Sequence, residues 1–102
     1  MNRGEVWWAQ IGHKRRPVLV LTRPEVIDIR ELITVAEITT AVRGLAVEVP
    51  LPESVPGLVV GSVVNCDGLH TVRRSSMSDP AGEIDDRTMR AVCGAVTYAL
   101  GC

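Results

Sequence analysis

An arginine stands directly before a proline early in the chain, at Arg16 and Pro17. Proline restricts the residue before it to extended backbone angles, so the side chain of Arg16 leaves the backbone in a fixed direction. Its planar guanidinium can hold a phosphate through two parallel hydrogen bonds. Lys14 and Arg15 precede it and complete a dense basic cluster in a chain whose net charge is -1. The cluster favours a local polyanion site, with a solvated loop arginine as the alternative interpretation.

Other residues suited to phosphate chemistry lie on either side of this cluster. His70, Arg73 and Arg74 form a second basic spot that we expect to contact the backbone of a polyanion, with a solvated turn as the alternative. By residue type, His13 and Asp67 are the best candidates for a general base. A lone loop histidine is usually just solvated, so two interpretations of His13 stay open.

The length and composition are those of one small globular domain spanning residues 1–102. Apolar residues make up 46% of the chain and charged residues 23%, as in an ordinary folded protein. The apolar runs are shorter than the roughly 20 residues of a membrane span, and the N-terminus lacks the apolar core of a signal peptide. We therefore expect a cytoplasmic protein without membrane contact. The three cysteines share no C-x-x-C spacing, which indicates neither a disulfide framework nor a zinc site.

Short β-strands must position these residues. Residues 5–11, 17–23, 32–40 and 45–51 are rich in β-branched and aromatic residues and are predicted strands. Residues 61–74 predict a strand, a bend at Asp67-Gly68 and a second short strand. A brief helical turn is expected at residues 23–31, where Pro24 suits a first helical position. If residues 5–11 form a strand, Trp7 and Trp8 point to opposite faces. One of the two rings should lie in the core. The other should stack on a nucleobase or be buried at a dimer interface.

One longer helix is predicted at the C-terminus. Asp85 or Asp86 can cap its start, and Gly101 is a natural stop. A core-facing strip at helical spacing consists of Met89, Val92, Cys93, Val96, Ala99 and Leu100. Cys66 and Cys93 are expected to be small buried hydrophobes. The whole pattern predicts a mainly β protein, a small and partly open antiparallel barrel with a C-terminal helix against it.

The order of these segments resembles the MazF/PemK family of toxins from type II toxin–antitoxin modules. The matching segments run through nearly the whole chain: "RGEVWWAQI", "RRPVLVLT", "VAEITT", "GSVVNCDGLHTV" and a helix ending in "ALG". The resemblance implies an SH3-like barrel that forms a homodimer and cuts single-stranded RNA at short sequences without a metal or other cofactor. It also implies a cognate antitoxin whose flexible acidic tail covers the RNA site.

The resemblance also implies roles for individual residues. Arg16 matches the catalytic arginine of the family's R-P motif, and Thr39 matches a threonine at the end of the third strand that faces the scissile phosphate. Asp67 matches an acidic position used for acid–base chemistry in some members. Asn65 and His70 depart from the arginine or lysine that relatives can have there. RNA contacts are expected from Lys14, Arg15, Asn65, His70, Arg73 and Arg74.

The expected chemistry uses the nucleophile that RNA carries itself, the 2′-hydroxyl. Cleavage then needs a base for its proton, an acid for the leaving oxygen, and donors for the charge that builds at phosphorus. Because a guanidinium is a poor proton donor, we expect Arg16 to act by electrostatic stabilisation. The products would carry 2′,3′-cyclic phosphate and 5′-hydroxyl ends, and cleavage of mRNA would inhibit translation and growth.

Two other interpretations remain open at this level. The first is a toxin of the same fold that poisons DNA gyrase without catalysis, although such relatives lack the R-P-V motif joined to a strand-end threonine. The second is an RNA-binding module that has lost catalysis, which the departures at Asn65 and His70 would explain.

Overall fold

The structure, a computed structural model, describes residues 1–52, 55 and 57–102. Within these ranges the chain forms one six-stranded antiparallel sheet, in the order β4-β5-β3-β2-β1-β6. Its strands are β1 (Glu5–Ile11), β2 (Lys14–Val20), β3 (Leu32–Thr39), β4 (Glu48–Pro50), β5 (Val63–Arg73) and β6 (Met77–Glu83). Its helices are α1 (Pro24–Ile27) and α2 (Asp86–Leu100), with a 3-10 turn at Arg74–Ser76. The prediction of a mainly β protein with a C-terminal helix is confirmed.

The connection between β1 and β2 is shorter than the predicted strand bounds, 5–11 and 17–23, imply. Ile11 pairs with Lys14, so only Gly12 and His13 form the turn. Gly12 has φ of 60°, which a two-residue hairpin turn requires and which glycine adopts without steric cost. Strand β2 therefore begins at Lys14 and not at residue 17. Lys14, Arg15 and Arg16, which the predicted strand bounds leave in the connection, therefore belong to the strand, and their side chains alternate between the two sheet faces.

Each face of the sheet carries its own hydrophobic cluster. The helix face packs against α2 through Val6, Leu19, Ala36, Ile38, Val64, Cys66 and Val92, among others. The second face is formed by Ala9, Val18, Val20, Ile33, Val35 and Met77, with Ile27 of α1 packed onto it. Strands β2 and β3 lie in the middle of the sheet, and each contributes side chains to both hydrophobic clusters. Trp7 packs against the second-face cluster, whereas Trp8 follows the alternation of Val6 onto the helix face.

Helix α2 has the predicted ends and most of the predicted strip. The side chain of Asp85 accepts a hydrogen bond from the Thr88 N–H at 2.8 Å, and Gly101 ends the helix at φ of 73°. Val92 is fully buried, and Met89, Val96 and Ala99 pack against the same cluster. Two members differ from the prediction. Cys93 is only half-buried, and Leu100 is 62% exposed, so its assignment to the core was wrong.

Strand β5 is continuous but contains a large bulge. Asn65 pairs with Glu37 of β3, while Leu69 pairs with the preceding residue, Ala36. Residues 66–68 are therefore inserted without partners on β3, and the predicted bend at Asp67-Gly68 is this bulge.

Two other strand predictions need correction. Strand β4 covers only Glu48–Pro50 of the predicted residues 45–51. Strand β6 was missed, because Pro80 and Gly82 within it are residues that disfavour strands. Proline is tolerated here because β6 lies at the edge of the sheet, where one side of the strand needs no ladder partner.

Candidate active site

Strands β2 and β3 bring Arg16 and Thr39 together on the second face. Val18 pairs with Glu37, and continuing this antiparallel register by two residues sets Arg16 opposite Thr39. On its other side Arg16 pairs with Ala9 of β1, a member of the second-face cluster. The guanidinium therefore starts from a strand that is paired with β1 at Arg16 and with β3 from Val18 onward, which restrains its position more firmly than the proline alone would.

The hydroxyl of Thr39 is held in place at the end of β3. Its Oγ1 accepts a hydrogen bond from the Ala41 N–H at 3.0 Å. This contact uses an acceptor position of the oxygen and leaves the hydroxyl hydrogen able to donate. Thr39 is thus arranged to donate a hydrogen bond to an anion beside Arg16.

A carboxylate that the sequence analysis missed lies between the basic residues of this face. Oε1 of Glu37 is 3.7 Å from Nε of Arg16 and 3.4 Å from Nε2 of His70. The Glu37 side chain is only 22% exposed. Alternation along "VAEITT" already places Glu37 on the face of Thr39, and this signal could have identified it. Its contact with His70 depends on the bulge in β5 and could not have been read from the sequence.

The bulge packs its backbone against this carboxylate. A Cβ atom added to Gly68 would lie 2.9 Å from Oε2 of Glu37 and 3.2 Å from Nδ2 of Asn65. Asn65 itself pairs with Glu37 across the strands, and its Oδ1 accepts a hydrogen bond from the Asp67 N–H at 3.1 Å. Only glycine at position 68 leaves the observed room for the Glu37 side chain.

The basic cluster borders an open pocket at the end of these strands. The pocket has a volume of about 340 Å³, and its lining includes Lys14, Arg15, Arg16, Thr39 and Trp8. It joins the edge of the second face to the helix face, because Arg16 and Arg15 lie on opposite sides of β2. A chain of phosphates and bases could follow it from one side to the other.

Arg15 is held by neighbours on its own side. Its guanidinium forms an ion pair with Asp79, donates to Oγ of Ser78 at 3.3 Å and lies 4.9 Å from the ring centre of Trp8. A cation over the face of a tryptophan ring is attracted electrostatically by that ring. The ion pair offsets part of the positive charge expected for RNA binding at this residue.

The two arginines of the second basic spot, Arg73 and Arg74, differ in their surroundings. The guanidinium of Arg74 donates to the carbonyl oxygens of Ile27 and Arg30, which ties α1 to the 3-10 turn. Because the Arg74 guanidinium already donates to backbone carbonyl groups of the protein, these donors are not free to bind a phosphate. This argues against the predicted RNA contact of Arg74. Arg73 is exposed at the end of β5, opposite Leu32, and keeps its predicted role as a proposal.

The two predicted bases do not contact the Arg16–Glu37 pair through their side chains. His13 is exposed in the turn between β1 and β2, and Asp67 is exposed in the bulge. In the part of the chain that the structure describes, neither side chain forms a hydrogen bond or ion pair with Arg16 or Glu37. The residues that do come together are Arg16, Glu37 and His70.

The described residues contain neither a metal-binding cluster nor a membrane-spanning helix. Across residues 1–52, 55 and 57–102, no group of three or more histidine, cysteine, aspartate or glutamate side chains is arranged to hold a metal ion. In the same ranges no helix has the length and apolar character needed to cross a bilayer.

Comparison with known proteins decides the family. Residues 2–100 match the family described as the PemK-like, MazF-like toxin of type II toxin-antitoxin system. The chain belongs to this family. It is 41% identical over 103 residues to the probable endoribonuclease MazF5 of Mycobacterium tuberculosis, and the match covers 98% of this chain and 93% of that protein. This confirms the resemblance found in the sequence.

Solved structures of MazF toxins share the fold. The Mycobacterium tuberculosis toxin MazF-mt6 superimposes with a TM-score of 0.87 at 39% identity, covering 95% of this chain and 96% of that one. A mycobacterial endoribonuclease in complex with its cognate antitoxin gives a TM-score of 0.89 at 26% identity, covering 99% and 95%. The relatives are named endoribonucleases, and the comparisons give no support to gyrase poisoning.

Proposed function

We propose that this MazF-family endoribonuclease cleaves single-stranded mRNA in the cytoplasm through attack of the 2′-hydroxyl on the adjacent phosphate, without a metal ion. The observation that carries the proposal is that Arg16 and Thr39, on the same face of the neighbouring strands β2 and β3, line one open pocket rimmed by basic side chains. Cleavage leaves 2′,3′-cyclic phosphate and 5′-hydroxyl ends and inhibits translation and growth.

The two residues act on the scissile phosphate. Arg16 donates to the non-bridging oxygens, where negative charge builds in the transition state, and Thr39 adds a hydroxyl donor from the neighbouring strand. Loss of one such donor costs about 2.7–4 kcal/mol of transition-state stabilisation, or about 10²–10³-fold in rate. Neither group needs a change of protonation state for this role.

RNA binding is assigned to the surface around this pair. Lys14 is exposed near Arg16 and contributes positive charge, Asn65 presents an amide on the same face, and Arg73 is a more distant exposed cation at the C-terminal end of β5. Arg15 and Trp8 form a cation-on-ring platform on which a base can stack. Charge reversal of exposed members should weaken RNA binding and reduce its dependence on salt.

One experiment tests the reaction. The purified protein is incubated with a long RNA in EDTA, and the new 5′ ends are mapped. We expect cuts that disappear in Arg16→Ala and persist in Arg90→Ala, an exposed arginine on α2. A single deoxyribose on the 5′ side of the cut should stop cleavage and leave binding unchanged. Cleavage of an all-DNA strand, or a requirement for magnesium, would refute the mechanism.

An antitoxin is the proposed regulator. The mycobacterial structure in complex with its antitoxin supports a partner of this kind. We expect an acidic, disordered segment to fold over Lys14, Arg15 and Arg16, with carboxylates in the place of phosphates. Reversing the charges of Lys14 and Arg15 together should then weaken both RNA and antitoxin. A ternary complex with uncleavable RNA at the same site would contradict shared binding.

The active form is proposed to be a homodimer. Leu32 and Leu100 are 52% and 62% exposed, and both line an open pocket of about 540 Å³ beside α2. Burial of these side chains against a second copy would remove apolar surface from water. Light scattering should give the mass of a dimer, and Leu100→Glu should shift it toward a monomer. A monomeric wild-type protein at micromolar concentration would contradict this assembly.

A further inference from the structure

We propose that His70 is the base that takes the proton of the 2′-hydroxyl, and that Glu37 is the residue that positions it. This inference rests on the proposed function and names the proton acceptor that Arg16 and Thr39 do not supply. It departs from the assignment of His70 to RNA binding and of His13 or Asp67 to proton transfer.

The bulge in β5 is what brings His70 to the second face. Asn65 pairs with Glu37, and in a regular ladder Asp67 would follow it on this face, opposite Val35. The inserted residues 66–68 change the register, so His70 pairs with Val35 instead. An imidazole therefore replaces a carboxylate beside Glu37, on the face that carries Arg16.

The contact with Glu37 orients the imidazole ring. Nε2 of His70 faces Oε1 of Glu37 at 3.4 Å, longer than a formed hydrogen bond, as is common in sites without substrate. A carboxylate beside one ring nitrogen favours the proton on that nitrogen. Nδ1 is then the nitrogen with a free lone pair. Among the hydrogen bonds of the described residues, none occupies it.

The charges of the three side chains suit the reaction. With a neutral imidazole, Glu37 and Arg16 cancel, and the group carries no net charge. When His70 accepts a proton the group becomes +1, at the moment when negative charge builds on the phosphate. A carboxylate on an RNA-binding face repels the phosphates of RNA. The position of Glu37 between Arg16 and His70 accounts for its presence there, because it can orient the His70 ring.

The step is balanced without a metal or an oxidant. The 2′-hydroxyl proton moves to Nδ1 of His70, and the electron pair of O2′ forms the O2′–P bond. The P–O5′ bond breaks, its electron pair stays on O5′, and that oxygen takes a proton from water. The imidazolium returns its proton to water, which restores the neutral ring.

The test compares the two histidines of the chain under single-turnover conditions. His70→Ala should lower the cleavage rate by about 10²–10⁴-fold, the range for loss of a general base, while binding of a 2′-deoxy RNA changes little. Added imidazole should restore part of the rate. His13→Ala should retain the wild-type rate, because His13 lies in the exposed turn. His70→Asn, closer in size, repeats the test if the alanine variant unfolds.

Glu37 needs a readout that a merely structural role would not move. Glu37→Gln should lower the rate without weakening RNA binding, and imidazole should not rescue it. Glu37→Asp should recover part of the loss. Equal rate loss with weaker RNA binding in all Glu37 variants would show that the carboxylate only shapes the surface, which would overturn its positioning role.

The outcomes separate this inference from the proposed function. A His70→Ala protein that cuts at the wild-type rate, while Arg16→Ala does not cut, would overturn the inference and leave the function standing. Rate loss in His70→Ala that follows lost RNA binding and resists imidazole would also overturn it. A wild-type protein that cuts no RNA would overturn both.

Discussion

Gly68→Ala should lower the rate of RNA cleavage and leave the stability of the fold almost unchanged. The new Cβ would lie 2.9 Å from Oε2 of Glu37 and 3.2 Å from Nδ2 of Asn65, closer than such atoms normally approach. The carboxylate must therefore shift by several tenths of an ångström. Because a displacement of about 1 Å in an active site can cost about 10²-fold in rate, we expect roughly a 10-fold loss here.

The same substitution should leave folding almost unchanged. Gly68 does not have a positive φ, and the first atom that its Cβ meets is the end of a flexible side chain. Replacing glycine at such a position also lowers the entropy of the unfolded chain, a gain of about 0.4–1 kcal/mol. Urea unfolding should thus place Gly68→Ala within about 1 kcal/mol of the wild type, while single-turnover cleavage shows the loss.

A matched control and a double variant make this reasoning refutable. A Cβ at Gly94 of α2 meets nothing within 4 Å, so Gly94→Ala should raise stability by about 1 kcal/mol and leave the rate unchanged. In a Glu37→Ala background, Gly68→Ala should have little further effect, because the displaced group is gone. A wild-type rate in Gly68→Ala, or fully additive losses in the double variant, would refute the argument.

Three other predictions concern the fold. Leu19 is fully buried, so Leu19→Ala should lower the free energy of unfolding by about 2–5 kcal/mol in urea titrations. Burial raises the pKa of the Cys66 thiol to about 11, so mass spectrometry should find Cys66 unmodified by iodoacetamide in the folded protein and the exposed Cys102 modified. Hydrogen bonding to Thr88 lowers the pKa of the Asp85 carboxyl below its usual 3.8. The ionised Asp85 therefore contributes its full share of stability above that value, and this share is lost as the pH falls through the lower folded-state pKa. Because Asp85→Asn lacks the ionisable group, its melting temperature should fall less in acid than that of the wild type.

The elements that the sequence predicted correctly are those defined by local patterns. Strand alternation in β1 and β3 and the cap and stop of α2 depend on residues within one segment, and they appear where expected. The Arg-Pro dipeptide already singled out Arg16, the family resemblance added Thr39, and the register of β2 against β3 agrees with a shared role. Sequence patterns sufficed here because each depends on neighbours along the chain.

The features that the sequence did not predict depend on pairing between distant segments. Arg15 and Arg16 are adjacent in sequence, but the early start of β2 sends them to different faces, one toward Asp79 and one toward Glu37. Arg74 looked like part of a basic patch, yet its donors reach carbonyl oxygens of the segment around α1, more than 40 residues away in sequence. Charge clusters in sequence therefore overstate the positive surface that RNA can meet.

Phosphate binding depends on a regular part of the sheet, whereas the proposed proton transfer depends on an irregular part. Arg16 and Thr39 stand on neighbouring central strands, whose register places both on the same face and whose core residues restrain both strands. His70 reaches the same face only through the bulge, whose length decides which β5 side chain lies next to Glu37.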